Sequence, residues 1–177
     1  MILRKLVYRS IVLFPLWVNN SEKDMEKDII PKLGHPDLDD EHKNLLGFAM
    51  FCVLTCPHLE SSYECYGCTT GKPEECQDGL RNILDHLLPY IQKHFEHEEN
   101  AMRQVKLDEK DPMHMAIHLS AHNHLFQHFK TIAAELNTDE AGNDMVKKLR
   151  KLHDLIMDKL LDHLHMVDTK LIPYLAK

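Results

Sequence analysis

The chain reads as an all-α protein: an antiparallel up-down-up-down four-helix bundle preceded by an N-terminal arm. Three observations lead there. Apolar residues recur at three- and four-residue intervals along four long stretches, the period of a helix that buries one face. Glycine is scarce, 6 in 177 residues, and no alternating β-branched run stands out, so the usual strand signals are missing. The connections between the four stretches are short to moderate, as helices packed beside their neighbours in sequence require.

Length and charge narrow the class further. A chain of 177 residues fits one domain and can bury a proper core. We assign residues 1–36 to the arm and 37–177 to the bundle, with a cysteine-containing connection at about 57–76. The net charge of −7 argues against a nucleic-acid partner, because phosphate binding needs a basic face. The first 18 residues, MILRKLVYRSIVLFPLWV, are basic and apolar and superficially resemble a signal peptide. Their uninterrupted apolar run, Ile11 to Val18, has only eight residues and contains Pro15, whereas a membrane span needs ~18–20 apolar residues. We read the segment as a leader on a cytoplasmic protein; a targeting role, or a start at Met25, is the alternative.

Asp37 or Asp39 can cap a first helix that ends near Cys56, before Pro57. Leu38, Leu45, Leu46, Ala49, Met50 and Val53 mark its buried face. The following SSYECYGCTTGKPEEC is a loop by composition. The second helix spans about Glu75 to Val105, and Pro89 inside it predicts a kink or short break. Asp111-Pro112 restarts the chain as cap and first helical residue, and the third helix reaches about Leu136. After a turn at Asn137-Thr138-Asp139, the fourth helix carries Met145, Val146, Leu149, Leu152, Ile156, Leu160, Leu164 and Val167. It fades near Pro173.

Five histidines and two carboxylates on these helices stand at metal-ligand spacings: His42, His94, Glu98, His118, His122, His163 and Asp168. His94 and Glu98 are four apart, as are His118 and His122, which puts each pair on one helical face. Imidazole plus carboxylate without thiolate suits iron or a similar first-row metal. The bland reading is that a chain with 14 histidines scatters imidazoles over solvated faces. One spaced pair would not answer it, but four segments in order do.

Those segments resemble the hemerythrins. Asp39-Asp40-Glu41-His42-Lys43-Asn44-Leu45 is similar to their D-x-x-H-k-x-L. His94-Phe95-Glu96-His97-Glu98-Glu99-Asn100-Ala101-Met102 is similar to H-F-x-x-E-E-x-x-M. His118 through His122 resembles H-x-x-x-H, and His163 through Asp168 to Tyr174-Leu175 the closing H-x-x-x-x-D…yL. The resemblance covers residues 37–175. It implies two non-haem irons, one held by His118, His122 and His163 and the other by His42 and His94. Glu98 and Asp168 would bridge them beside an oxo or hydroxo group from solvent. One position would stay open for dioxygen, and the implied activity is reversible oxygen binding rather than catalysis. Leu160, three residues before His163, is the candidate lining of the oxygen pocket.

The departures from the pattern are also informative. Trp17 lies far upstream of the first ligand helix, and the links from His42 to His94 and from His122 to His163 are long. At ~100° per residue, His124 and His128 point ~200° and ~240° from His122, so both should face away from the site. His35, His58, His97 and His165 read as surface groups; His114, one turn before His118, is either a group supporting the site or simply the bundle's end. His163 and Asp168, five apart, would diverge by ~140° on a regular helix. Either long side-chain reach compensates or, as we expect, the helix is distorted between Leu164 and Val167, for instance by a one-residue π-bulge; otherwise one of the two is not a ligand and His165 or His153 takes its place. Cys65, Cys68 and Cys76 in the long loop are open to three readings: unreactive thiols, a thiol–disulfide pair, or a metal site needing further ligands such as Cys56 or His58. Cys52 and Cys56 read as buried fillers.

Two rival functions remain at this stage. A di-iron enzyme, whether oxidase, peroxidase or nitric oxide reductase, would use the same residues. Carboxylate-rich di-iron oxidases, however, favour Glu-x-x-His, a motif missing here. An iron- or redox-responsive interaction protein, read through the cysteine loop, is the other.

Overall fold

The computed structural model describes residues 30–56, 58–59, 73–136 and 145–175, and all its regular structure is helical. Helix α1 is Pro36–Thr55, α2 is Pro73–Gln104, α3 is the short Leu107–Lys110 and α4 is Pro112–Leu136. The last stretch is segmented. Helix α5, Met145–Leu155, runs into a π-helical turn at Ile156–Leu160, then α6, Leu161–Met166. A 3-10 turn at Asp168–Leu171 and α7, Ile172–Leu175, complete it. Helix α1 packs on α2 and α5, and α2 packs on α4. No helix among these residues is long and apolar enough to cross a membrane. The loop cysteines Cys65 and Cys68, the turn at 137–139 and the first 29 residues lie outside the described residues.

Local sequence accounts for most of the boundaries. Asp111 Oδ1 accepts the His114 backbone N–H at 3.0 Å, closing the start of α4 as a cap should. The expected acidic cap of α1 is not made: His35 holds that position without a side-chain bond. Asp39 instead accepts the Leu33 N–H at 2.6 Å, tying the incoming chain back onto the first turn. Pro89 does not end α2. It stands on the exposed side, where water can serve the carbonyl that its missing N–H leaves free. Lys106 ends α2 in the left-handed region, at φ 58°, where a glycine would be unstrained.

The interior falls into two apolar clusters. The larger holds Leu45, Leu87, Phe129, Leu149, Ile156 and Leu160, among others. The smaller gathers Leu33, Leu38, Met102, Leu107, Met115, Leu171 and Leu175. Leu33 is fully buried, so the packed core reaches into what the sequence suggested was arm. Of the residues expected on the α1 core face, Met50 and Val53 are only partly buried, while Phe48 and Cys52 take their place. Cys56 is buried with them.

Candidate metal centre

Between the two clusters lies a polar layer. Helix α1 supplies His42, α2 His94 and Glu98, α4 His118 and His122, α6 His163, and the 3-10 turn opens on Asp168. All seven side chains are buried, the least so His163 at 6% exposure, and burying that many polar groups is costly unless something satisfies them. Their ligating atoms form two groups, Glu98-His118-His122-His163-Asp168 and His42-His94-Asp168, each with all atoms within 4.8 Å of one another. Asp168 belongs to both. Its Oδ2 lies 3.6 Å from His42 Nε2, while its Oδ1 lies 2.9 Å from His163 Nε2 and 3.5 Å from His118 Nε2. Glu98 Oε2 sits 3.1 Å from His122 Nε2, 3.4 Å from His118 Nε2 and 3.9 Å from His94 Nε2.

Asp168 reaches the layer because the helix breaks where the spacing required it, though by another device than a π-bulge. Val167 is distorted, at φ −113°, ψ −59°, and the chain continues as the 3-10 turn. The π-helical turn lies upstream, at Ile156–Leu160, ending on the fully buried Leu160. Neither His153 nor His165 joins either group. His153 is nevertheless buried, and His165 is exposed.

The layer suits cations better than protons. His42 Nε2, His94 Nε2, Glu98 Oε1, His163 Nε2 and both Asp168 oxygens are buried without a hydrogen-bond partner. The close approach of His163 to Asp168 is thus a convergence rather than a hydrogen bond. His118 Nε2 and His122 Nε2 face each other at 3.0 Å, about the separation of two nitrogens each ~2.1 Å from one ion at a right angle. Burial pushes His42 and His163 down to about 4, and it lowers His122 as well. Neutral imidazoles are what a metal needs. The carboxylates split. Burial and the neighbouring Glu98 raise Asp168 well above the usual range. Burial would raise Glu98 too, but hydrogen bonds from His118 and His122 and the surrounding imidazoles hold it well below. Two carboxylates in one dry site do not both ionise without added positive charge, and a metal supplies it.

Three neighbours of the layer were not singled out as site residues from the sequence. Phe95 stacks on His122 with ring centroids 4.0 Å apart and planes 8° from parallel, and it also touches His94 and His163. Glu41 lies 2.9 Å from His94 Nδ1, and Glu99 lies 3.3 Å from His122 Nδ1. Phe95 and Glu99 stood in the motif as letters only, and Glu41 precedes His42. A residue one step from a ligand turns ~100° away from it, toward the neighbouring helix, which is the signal that could have found Glu41. His114, left open by the sequence, stacks on His118 and meets the ring of Tyr174 edge-on. His97, His124 and His165 are exposed, while His35, His58 and His128 are half-buried.

No cysteine lies among the two groups. Burial pushes the Cys52 thiol up to about 12, which makes it unreactive, and Cys76 Sγ lies 3.8 Å from the Thr55 carbonyl, at the far end of α1 from His42. Replacing Cys65 and Cys68 together by serine is therefore expected to leave the metal content per chain unchanged. Metal analysis of that variant checks this, and a loss of metal would give the loop a structural part in the centre.

The model of the hemerythrin HHE cation binding domain matches residues 33–175. Comparisons with curated proteins and with solved structures give no match. The family match spans most of the chain, both apolar clusters and the whole polar layer, and we conclude that the chain belongs to the hemerythrin HHE cation-binding family.

Proposed function

We propose that this protein binds dioxygen reversibly at a non-haem di-iron centre, as a store, carrier or sensor, on helices that run up-down-up-down. The observation that carries the reading is the unequal donor set. Five residues converge in one group and three in the other, with Asp168 common to both. In this reading His118, His122 and His163 hold one iron, and His42 and His94 the other. Asp168 spans the pair, and so does Glu98, whose carboxylate lies within 3.9 Å of His94 Nε2 as well as beside His118 and His122. In this reading the group with fewer protein donors leaves a coordination position for a small exogenous ligand.

When bound, two ferrous ions supply the pair of electrons that reversible oxygen binding draws on. The chain contributes the rest. Burial favours the neutral form of His42, His163 and His122, and the two carboxylates offset part of the metal charge where solvation is poor. In this reading Leu160 and Leu164, fully buried and close to His163 in sequence, are the candidates to shield the layer from water, with Leu160 the candidate lining of the oxygen pocket. An imidazole-rich set with two carboxylates favours reversible binding over the oxidase chemistry of carboxylate-rich sites.

The test is anaerobic loading with ferrous iron, oxygen addition, then evacuation, followed by optical spectroscopy. A visible charge-transfer band should appear with oxygen and vanish without it, over repeated cycles. Continuous oxygen consumption with an added reductant would replace this reading with that of a di-iron oxidase.

A further inference from the structure

We propose that Glu41 is the positioning residue of the His42–His94 half of the centre: it fixes the tautomer of His94 and adds the donor strength that this half lacks. The inference rests on the two-metal reading above and deepens it. A neutral imidazole carries one N–H, and a carboxylate only accepts. With Glu41 Oε2 at 2.9 Å from His94 Nδ1, the proton sits on Nδ1, and the Nε2 lone pair is left facing the cluster. The other oxygen of Glu41 accepts from His97 Nδ1 at 2.6 Å, so the carboxylate is held from both sides. Its side chain is 16% exposed, and burial of this kind strengthens a charge-assisted hydrogen bond.

Among the described residues no other group in that half does this work. His42 Nδ1 is buried without a partner, so His94 is the imidazole with a fixed orientation there. In the five-residue group Glu99 stands in the matching place, 3.3 Å from His122 Nδ1. Its second oxygen, however, lies 3.1 Å from the Arg103 guanidinium, which offsets its charge. Glu41 has imidazoles on both oxygens and, among the described residues, no guanidinium. A carboxylate behind a ligating histidine raises the basicity of the ring, and here the less neutralised one stands behind the half with three donors rather than five.

The experiment is an anaerobic titration of the full-length, ferrous-loaded protein with a competing chelator, beside melting curves of the metal-free forms. Wild type should release two ions per chain. In Glu41→Ala one ion should come off at about 10–100-fold lower chelator strength while the other is unchanged. Glu41→Gln, which keeps an acceptor without charge, should fall between, and Glu99→Ala should weaken the opposite ion by less. Adding His42→Ala to Glu41→Ala should weaken the same ion less than additively, whereas adding His163→Ala should act additively, as for independent sites. Loss of both ions in parallel, or a lowered metal-free melting temperature with both affinities intact, overturns the proposal; if Glu41→Ala does not fold, the Gln variant decides in the same way. Wild type holding fewer than two ions would instead remove the two-metal reading beneath it.

Discussion

Asp168→Ala is expected to abolish the proposed two-metal centre, leaving at most one weakly held ion per chain by metal analysis. Asp168 is the one residue shared by both ligand groups, with one oxygen toward His42 and the other toward His163 and His118. Truncating it strips both positions at once, whereas losing any single histidine strips one. The metal-free protein should barely notice. Neither carboxylate oxygen has a hydrogen-bond partner there, and the burial that raises its pKa is a cost to the fold that alanine removes. That relief offsets the small cavity left behind, so metal-free stability should stay within about 1 kcal/mol of wild type. A variant that retains both ions at native affinity would remove Asp168 from the centre.

Phe95→Ala should have the opposite signature, a large loss of stability with or without metal. The ring is 5% exposed and belongs to the larger apolar cluster. Truncating a buried phenylalanine costs about 3–5 kcal/mol, against a total stability of about 5–15 kcal/mol for a domain. At roughly 2–4 °C per kcal/mol for a chain of this size, the melting temperature should fall by about 6–20 °C. The ring also forms one wall for three imidazoles, stacked on His122 and tilted against His94 and His163. Metal binding should therefore weaken too, and Phe95→Leu should recover part of both effects. A drop below about 1 kcal/mol in thermal or denaturant unfolding would show that the site closes up around the missing ring.

The helices and four residues of the polar layer were legible because they follow the helical period, while His42, His163 and Asp168 were found through the family's motif. His94 with Glu98 and His118 with His122 are four apart, a spacing that needs no tertiary knowledge. Asp111-Pro112 was equally local, and its cap is made as written. What escaped the sequence depends on distance in space. Asp39 had the right chemistry to cap α1, but the returning chain at Leu33 offered its N–H. Pro89 predicted a kink or a short break, and α2 runs through it unbroken, because an exposed position leaves the orphaned carbonyl to water. The spacing of His163 and Asp168 demanded a distortion and located it, yet a break at Val167 or a π turn would answer equally well, and the interior decides between them. The partnership of Glu41 with His94 joins residues 53 apart, beyond the reach of any periodicity.

The division of the interior carries a consequence for how this molecule comes apart. Its apolar mass is interrupted across its width by seven polar side chains, with Leu33, Leu38, Leu171 and Leu175 on one side and the bulk of the core on the other. Without cations the layer is a seam that apolar attraction does not bridge, because several of its atoms, among them both Asp168 oxygens, lack partners among the described residues. The minor side, which gathers both ends of the described domain, then has only its own few contacts to keep it closed. With cations in place the seam becomes a rivet through α1, α2, α4, α6 and the turn at Asp168, and both sides must open together. Metal supply would thus decide whether the molecule unfolds as one body or frays from its ends.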